Sequence, residues 1–105
     1  TKGHNFERRI AKEMRDEVGL DAERGLQSRG GSTEVPDVDC WPLWIECKAQ
    51  IQPNIRAAYR QAVSGAPSHY IAAAVTKADR DTVLVTLSWA DFKDLLREWR
   101  ERGER

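Results

Sequence analysis

A chain of 105 residues with 40% apolar side chains can bury one modest core and has no room for a second, so residues 1–105 are expected to form a single domain. Seventeen basic residues cancel seventeen acidic ones, so net charge alone makes no case for a nucleic-acid partner, although twelve of the basic residues are arginine, the side chain suited to bidentate phosphate contacts. No apolar run approaches membrane-spanning length and no cleavable signal pattern opens the chain, so no membrane role is expected and the cytoplasm is the expected location.

The first element is a helix over residues 5–18. At about 100° per residue, Phe6, Ile10, Ala11, Met14 and Val18 gather on one face. Glu7 projects into that apolar stripe, where a carboxylate needs a cation, a metal or a hydrogen-bond donor. Two readings stand: a buried ion pair with an arginine such as Arg24, or membership of an acidic cluster built with later residues. Val18-Gly19-Leu20 is a helix stop, and residues 22–27 form a polar first strand. Ser28 to Thr33, rich in small residues, is a loop expected to be mobile.

The second strand spans about residues 35–41, Pro42 marks a tight connection, and the third runs over 43–50. Leu43-Trp44-Ile45-Glu46-Cys47 is too apolar for an edge strand facing water, so it reads as a central strand carrying charges where charges are costly. Cys40 and Cys47 fall at core-facing positions as reduced thiols; with the distant His4 and His69 they are too few for a zinc site. Pro53 opens a helix to about residue 64, with Ile55, Ala58, Tyr59 and Ala62 inward and Arg56 and Arg60 outside. A strand of small residues over 70–75 would let a helix pack closely above it, and a fifth strand covers 83–87. Ser88 with Asp91 has the form of a capping pair, and Trp89, Phe92, Leu95, Leu96 and Trp99 follow at helical spacing as a core stripe. The polar tail from Arg100 should fray. The order is α-β-β-β-α-β-β-α.

The chemistry concentrates in Pro36-Asp37-Val38 and Glu46-Cys47-Lys48. Alternation along a strand sends Glu46 and Lys48 to one side and Ile45 and Cys47 to the other. If the two segments pair, Asp37 lies beside Glu46, and two carboxylates share a small volume with one ammonium. Mg²⁺ binds through one or two carboxylates, keeps waters and completes its shell from phosphate. A lysine at its edge can orient or deprotonate the attacking water. The arrangement is that of a metal-dependent phosphodiesterase. The competing reading is a solvated hairpin face. Asp39 shares the parity of Asp37 and reads better as an exposed charge than as a spare ligand.

These residues and their order resemble the PD-(D/E)xK nuclease superfamily and, within it, the archaeal-type Holliday junction resolvases, including those carried by phages. The resemblance rests on Lys2-Gly3 and Glu7-Arg8 opening the first helix, Arg24 and Ser28 before the loop, Pro36-Asp37-Val38, and Ile45-Glu46-Cys47-Lys48. Beyond Gln50 only the element order matches, and the run Gly30-Gly31-Ser32-Thr33 lengthens the loop relative to that family. The resemblance implies an α/β, restriction-endonuclease-like core with a central mixed sheet flanked by helices. It implies Asp37, Glu46, Glu7 and the Cys47 backbone carbonyl as metal ligands, and Lys48 and Ser28 as further catalytic groups. Arg8, Arg9, Arg24, Arg29, Arg56, Arg60 and Gln61 would meet DNA; for Gln61 a plain surface residue is as good a reading. The implied cofactor is Mg²⁺, with Mn²⁺ as substitute, and the implied partners are branched DNA, above all four-way junctions, and a second copy of the chain. Alternatives are a branch- or nick-directed nuclease without junction preference and a non-catalytic nucleic-acid-binding module.

Overall fold

The computed structural model describes residues 2–25 and 35–103. Helix α1 (Lys2–Glu13) continues into a π-helical turn, Met14–Val18, that ends where Gly19 takes a left-handed φ of 86° and donates its N–H to the Met14 carbonyl. There follow β1 (Glu23–Arg24), β2 (Val38–Cys40), β3 (Leu43–Ala49), α2 (Ile55–Gly65), β4 (Ile71–Lys77), β5 (Leu84–Thr86) and α3 (Trp89–Gly103). The strands form one mixed sheet in the order β1-β2-β3-β4-β5, parallel only between β3 and β4, which α2 connects. The α/β class, the element order and the mixed sheet are those expected from the sequence.

β3 and β4 are the two long interior strands, and their near-continuous apolar runs suit burial on both faces. One face carries Ile45, Cys47, Ala73 and Val75, which join Val38, Cys40 and the α1 residues Phe6, Ile10 and Ala11 in the main core. On the other face Trp44, Ala72 and Ala74 are buried, and α2 covers them with its buried Ala58 and Ala62. Small residues on both partners let helix and sheet approach closely.

Several boundaries differ from the sequence reading. α1 begins at Lys2, three residues early, because Gly3 and Asn5 lack the apolar signal that starts at Phe6. β2 is three residues long, since Pro36 has no N–H for a ladder and Asp37 sits in a bend. The expected first strand is seen as Glu23–Arg24, and the loop over 28–33, with Ser28 and Arg29, lies outside the described residues. Pro53 precedes α2 instead of opening it; Asn54 is the cap, its side chain accepting the Ala57 N–H at 3.0 Å. Ile55 is exposed, so the buried face of α2 is narrower than expected. Ser88 caps α3 as expected, accepting the Asp91 N–H at 3.0 Å.

The largest correction concerns α3. Trp89, Phe92, Leu96 and Trp99 are exposed, and no residue of the helix is buried, so the stripe is not part of the core. The periodicity was real, but α3 follows the edge strand β5 and packs only lightly on the rest of the fold. The helix also runs to Gly103 instead of fraying from Arg100, with an Arg102–Glu98 pair across its last turn. No helix among the described residues is long and apolar enough to cross a membrane.

Candidate active site

The site forms where β2 begins and β3 crosses the middle of the sheet. β2 and β3 pair Val38 with Ile45, and one further step of that register sets Asp37 opposite Glu46. Asp37 precedes the strand, so its carboxylate is free to turn inward; Oδ2 accepts the Cys47 backbone N–H at 2.8 Å. One more step sets Pro36 opposite Cys47, and a proline has no N–H to offer the Cys47 carbonyl. The Pro-Asp pair therefore opens the ladder beside the charged strand. Gly25 makes this possible on the other side. Its N–H donates to the Asp37 carbonyl at 3.0 Å, and a Cβ there would lie 1.8 Å from the Pro36 carbonyl oxygen.

Glu46 is 5% exposed, and its Oε2 has no hydrogen-bond partner among the described residues. Burial first, then the neighbouring charge of Asp37 and a hydrogen bond with it, push the Glu46 carboxyl up to about 8; Lys48 opposes this and Glu7 adds to it. The same acids, after burial, raise the Cys47 thiol, which is held as an inert, protonated group. Lys48, half-buried, shares the strand parity of Glu46.

Of the two sequence readings of Glu7, the structure shows the ion pair with Arg24; among the described residues, Glu7, Asp37 and Glu46 do not come together as a group of three that could hold a metal. Arg24 Nε on β1 donates to Glu7 Oε1 at 3.2 Å, with both side chains largely buried, and Glu7 still acts electrostatically on Glu46 and Cys47. The ion pair thus fixes the helix acid, whose charge still reaches the Asp37–Glu46 pair.

The other sequence candidates are dispersed. Arg8 is exposed and bonds Asn5; Arg9 is exposed and pairs with Glu13 at 2.8 Å. Arg56, Arg60 and Gln61 are exposed on α2. Asp39 is exposed and accepts the Tyr70 hydroxyl at 3.0 Å, which fits the plain-charge reading. Gly25 was missed, although a glycine inside an expected strand is a signal of close backbone approach.

No group of three His, Cys, Asp or Glu side chains among the described residues forms a ready metal cage. Mg²⁺ asks for less: one or two carboxylates, with water and phosphate completing the shell. Asp37 and Glu46 supply that pair. The orphaned, buried Oε2 of Glu46 is the observation that fits an ion, since a carboxylate desolvated beside another carboxylate lacks its compensating charge.

A family model described as phage putative PDDEXK endonuclease matches residues 1–94. Among solved structures, the fold is similar to that of Archaeoglobus fulgidus Hjc, a Holliday junction resolvase from an archaeal hyperthermophile, with a TM-score of 0.64 and 22% identity, covering 81% of this chain and 76% of that one. Nothing among the curated proteins matches. At 22% identity the structural likeness is one of fold.

Proposed function

The chain belongs to the phage putative PDDEXK endonuclease family, and on that premise we propose that it is a Mg²⁺-dependent endonuclease resolving four-way DNA junctions by paired, symmetric cleavage. The observation that carries the metal-dependent part is Glu46, buried with an unpartnered carboxylate oxygen beside Asp37 and a lysine of the same strand. Asp37, Glu46 and the Cys47 carbonyl would hold the ion, with Mn²⁺ able to substitute. When bound, the ion lowers the pKa of a water and stabilises charge on the phosphate oxygens.

The chain's own residues do the rest. Lys48 orients the attacking water and takes up or shares its proton. Glu7 completes the acidic margin, as an outer ligand or through water, and Arg24 fixes its orientation from Nε. Arg8, Arg9, Arg56 and Arg60 contact backbone phosphates, so affinity falls steeply with salt. Ser28 would act at the scissile phosphate, Arg29 would contact backbone phosphate, and Gln61 would add a polar contact from α2. The whole of residues 1–105 serves as one nuclease domain in the cytoplasm of the host cell.

The junction preference draws on the fold shared with a protein described as a Holliday junction resolvase. It also draws on symmetry: a four-way junction has two-fold symmetry, and a homodimer offers two identical sites at fixed separation. The test is a competition among labelled four-way junctions, splayed arms and linear duplex at one protein concentration. Paired nicks on opposed junction strands, with linear duplex spared, support the proposal. Equal single nicking of all three substrates favours a nuclease without junction preference, and binding without any cleavage in Mg²⁺ or Mn²⁺ favours the non-catalytic module.

A further inference from the structure

Ile51 is the most exposed large apolar side chain among the described residues, at 78%, and it stands just past the strand that carries Glu46 and Lys48. It follows Lys48 by three residues, a reach of at most about 11 Å. A lone surface isoleucine is ordinary; the mounting of this one is not. Gln50 donates its N–H to the Lys77 carbonyl at 3.1 Å, and the Ile51 carbonyl accepts the Asp79 N–H at 3.4 Å. The backbone around the side chain is thus tied to the end of β4 and to the turn that follows it. Pro53 then fixes its own φ, and Asn54 caps α2. A β-branched side chain on a fastened backbone has little freedom left to lose when it enters a partner.

The surroundings decide what that partner is. Gln50 and Gln52 on either side are polar and exposed, so the apolar area offered is one side chain, far short of the ~800 Å² per partner of a protein interface. Charge on the rim is balanced, Arg56 and Arg80 against Asp79 and Asp81, so what Ile51 adds there is apolar and not ionic. We infer that Ile51 is a wedge that enters the base stack of DNA next to the scissile phosphate and so reads branching. Single apolar side chains inserted between base steps unstack and kink DNA. At ~3.4 Å per nucleotide along a strand, the reach from Lys48 covers about one to three steps. Inside a continuous duplex the wedge must break stacking, whereas at a branch point stacking is already interrupted and insertion costs less. That difference favours branched over linear DNA with no base-specific contact. The inference rests on the nuclease reading of Asp37, Glu46 and Lys48, and it names the residue that selects their substrate.

The test uses a four-way junction with 2-aminopurine at the point of strand exchange, and a linear duplex with 2-aminopurine at the matching position. Both are titrated in EDTA with the full wild-type chain, Ile51→Ala, Ile51→Met and Val18→Ala, and both are then cut in Mg²⁺. Ile51 and Val18 are exposed, so every variant should keep the wild-type circular dichroism. 2-Aminopurine brightens when it is unstacked. The wild type should brighten the junction several-fold and the duplex little. Ile51→Ala should abolish the rise and lower the ratio of junction to duplex cleavage by about 10-fold or more, the discrimination one small apolar group supplies. Ile51→Met should restore both, and Val18→Ala, an equally solvent-facing apolar residue on another element, should change neither. If the wild type cuts junctions selectively and Ile51→Ala matches it in both readouts, the inference falls and junction resolution stands. A rise that depends on Ile51 without cleavage in Mg²⁺ or Mn²⁺ keeps the wedge and removes the nuclease reading. No rise with the wild type on either substrate overturns the inference whatever the cleavage products, which then judge the parent reading alone.

Discussion

The two ends of the sheet use their side chains in opposite ways. Around β2 and β3, charged groups are drawn inward: Glu46 is buried, Asp37 turns its carboxylate onto a backbone N–H, and Glu7 is tied to Arg24. Around β5 and α3, apolar groups are turned outward: two tryptophans and a phenylalanine lie in solvent, while ordinary surface ion pairs such as Arg97–Asp94 run along the helix. Each arrangement inverts the usual rule for its residue type. Buried charge costs free energy unless it is matched, and exposed apolar area does so unless it is covered. On the proposed reading the first inversion marks an ion that the protein holds in use; the second marks an apolar face that no described residue covers. A fold serving stability alone would contain neither.

The comparison is tested most severely at Glu46. Glu46→Gln removes the charge that calls for an ion while preserving shape, so cleavage should fall by about 10³-fold, corresponding to the several kcal/mol a metal supplies at about 1.4 kcal/mol per tenfold. DNA affinity, measured by fluorescence anisotropy, should be retained or improved, because a negative charge facing phosphate is gone. Lys48→Ala should slow single-turnover cleavage by about 10²-fold or more, the range for a positioned proton acceptor or donor, with Mn²⁺ affinity less affected than in Asp37→Ala.

The strain at Glu46 should also be visible in stability against pH. Its folded pKa is raised from 4.5 to about 8 in the metal-free protein, so between those values the native state binds more protons than the unfolded one. Stability contributed by the protonated group is complete below about 4.5 and lost as pH rises through about 8. Urea unfolding in EDTA should therefore show stability declining from pH 5 to pH 8 by on the order of 1–3 kcal/mol, and Glu46→Gln should flatten that slope. An unchanged slope in the variant would relocate the titrating group. The smallest effect is expected at the margin of the site. In a double-mutant cycle of Glu7→Gln and Arg24→Ala, the coupling in stability should be about 0.5–3 kcal/mol. Both single variants should also cut more slowly; if Glu7→Gln melts early yet cuts normally, the pair serves structure alone.

How much of this was legible in the sequence follows from where the signal is local. The order of elements and the central place of β3 could be read from periodicity, because a strand buried on both faces needs an apolar run and a crossover helix needs its own stripe. The pairing of Asp37 with Glu46 was legible from parity and a short connection. The Glu7–Arg24 pair was legible as one of two readings, and what the sequence could not convey is which of them the fold takes up, since that depends on how β1 approaches α1. α3 shows the opposite limit. Trp89 to Trp99 has the periodicity of a core helix, and periodicity reports that a face will be covered without saying by what. Gly25 was hidden for a similar reason: the backbone it must clear belongs to Pro36, eleven residues later and just before β2.

The most direct measurement is cleavage of a labelled four-way junction by the wild-type chain in Mg²⁺, in EDTA, and in EDTA followed by excess Mn²⁺. The account expects paired nicks in Mg²⁺, none in EDTA, and recovery with Mn²⁺, with Glu46→Gln silent in all three. Cleavage that proceeds undiminished in EDTA, or that Glu46→Gln performs at the wild-type rate in Mg²⁺, would contradict it.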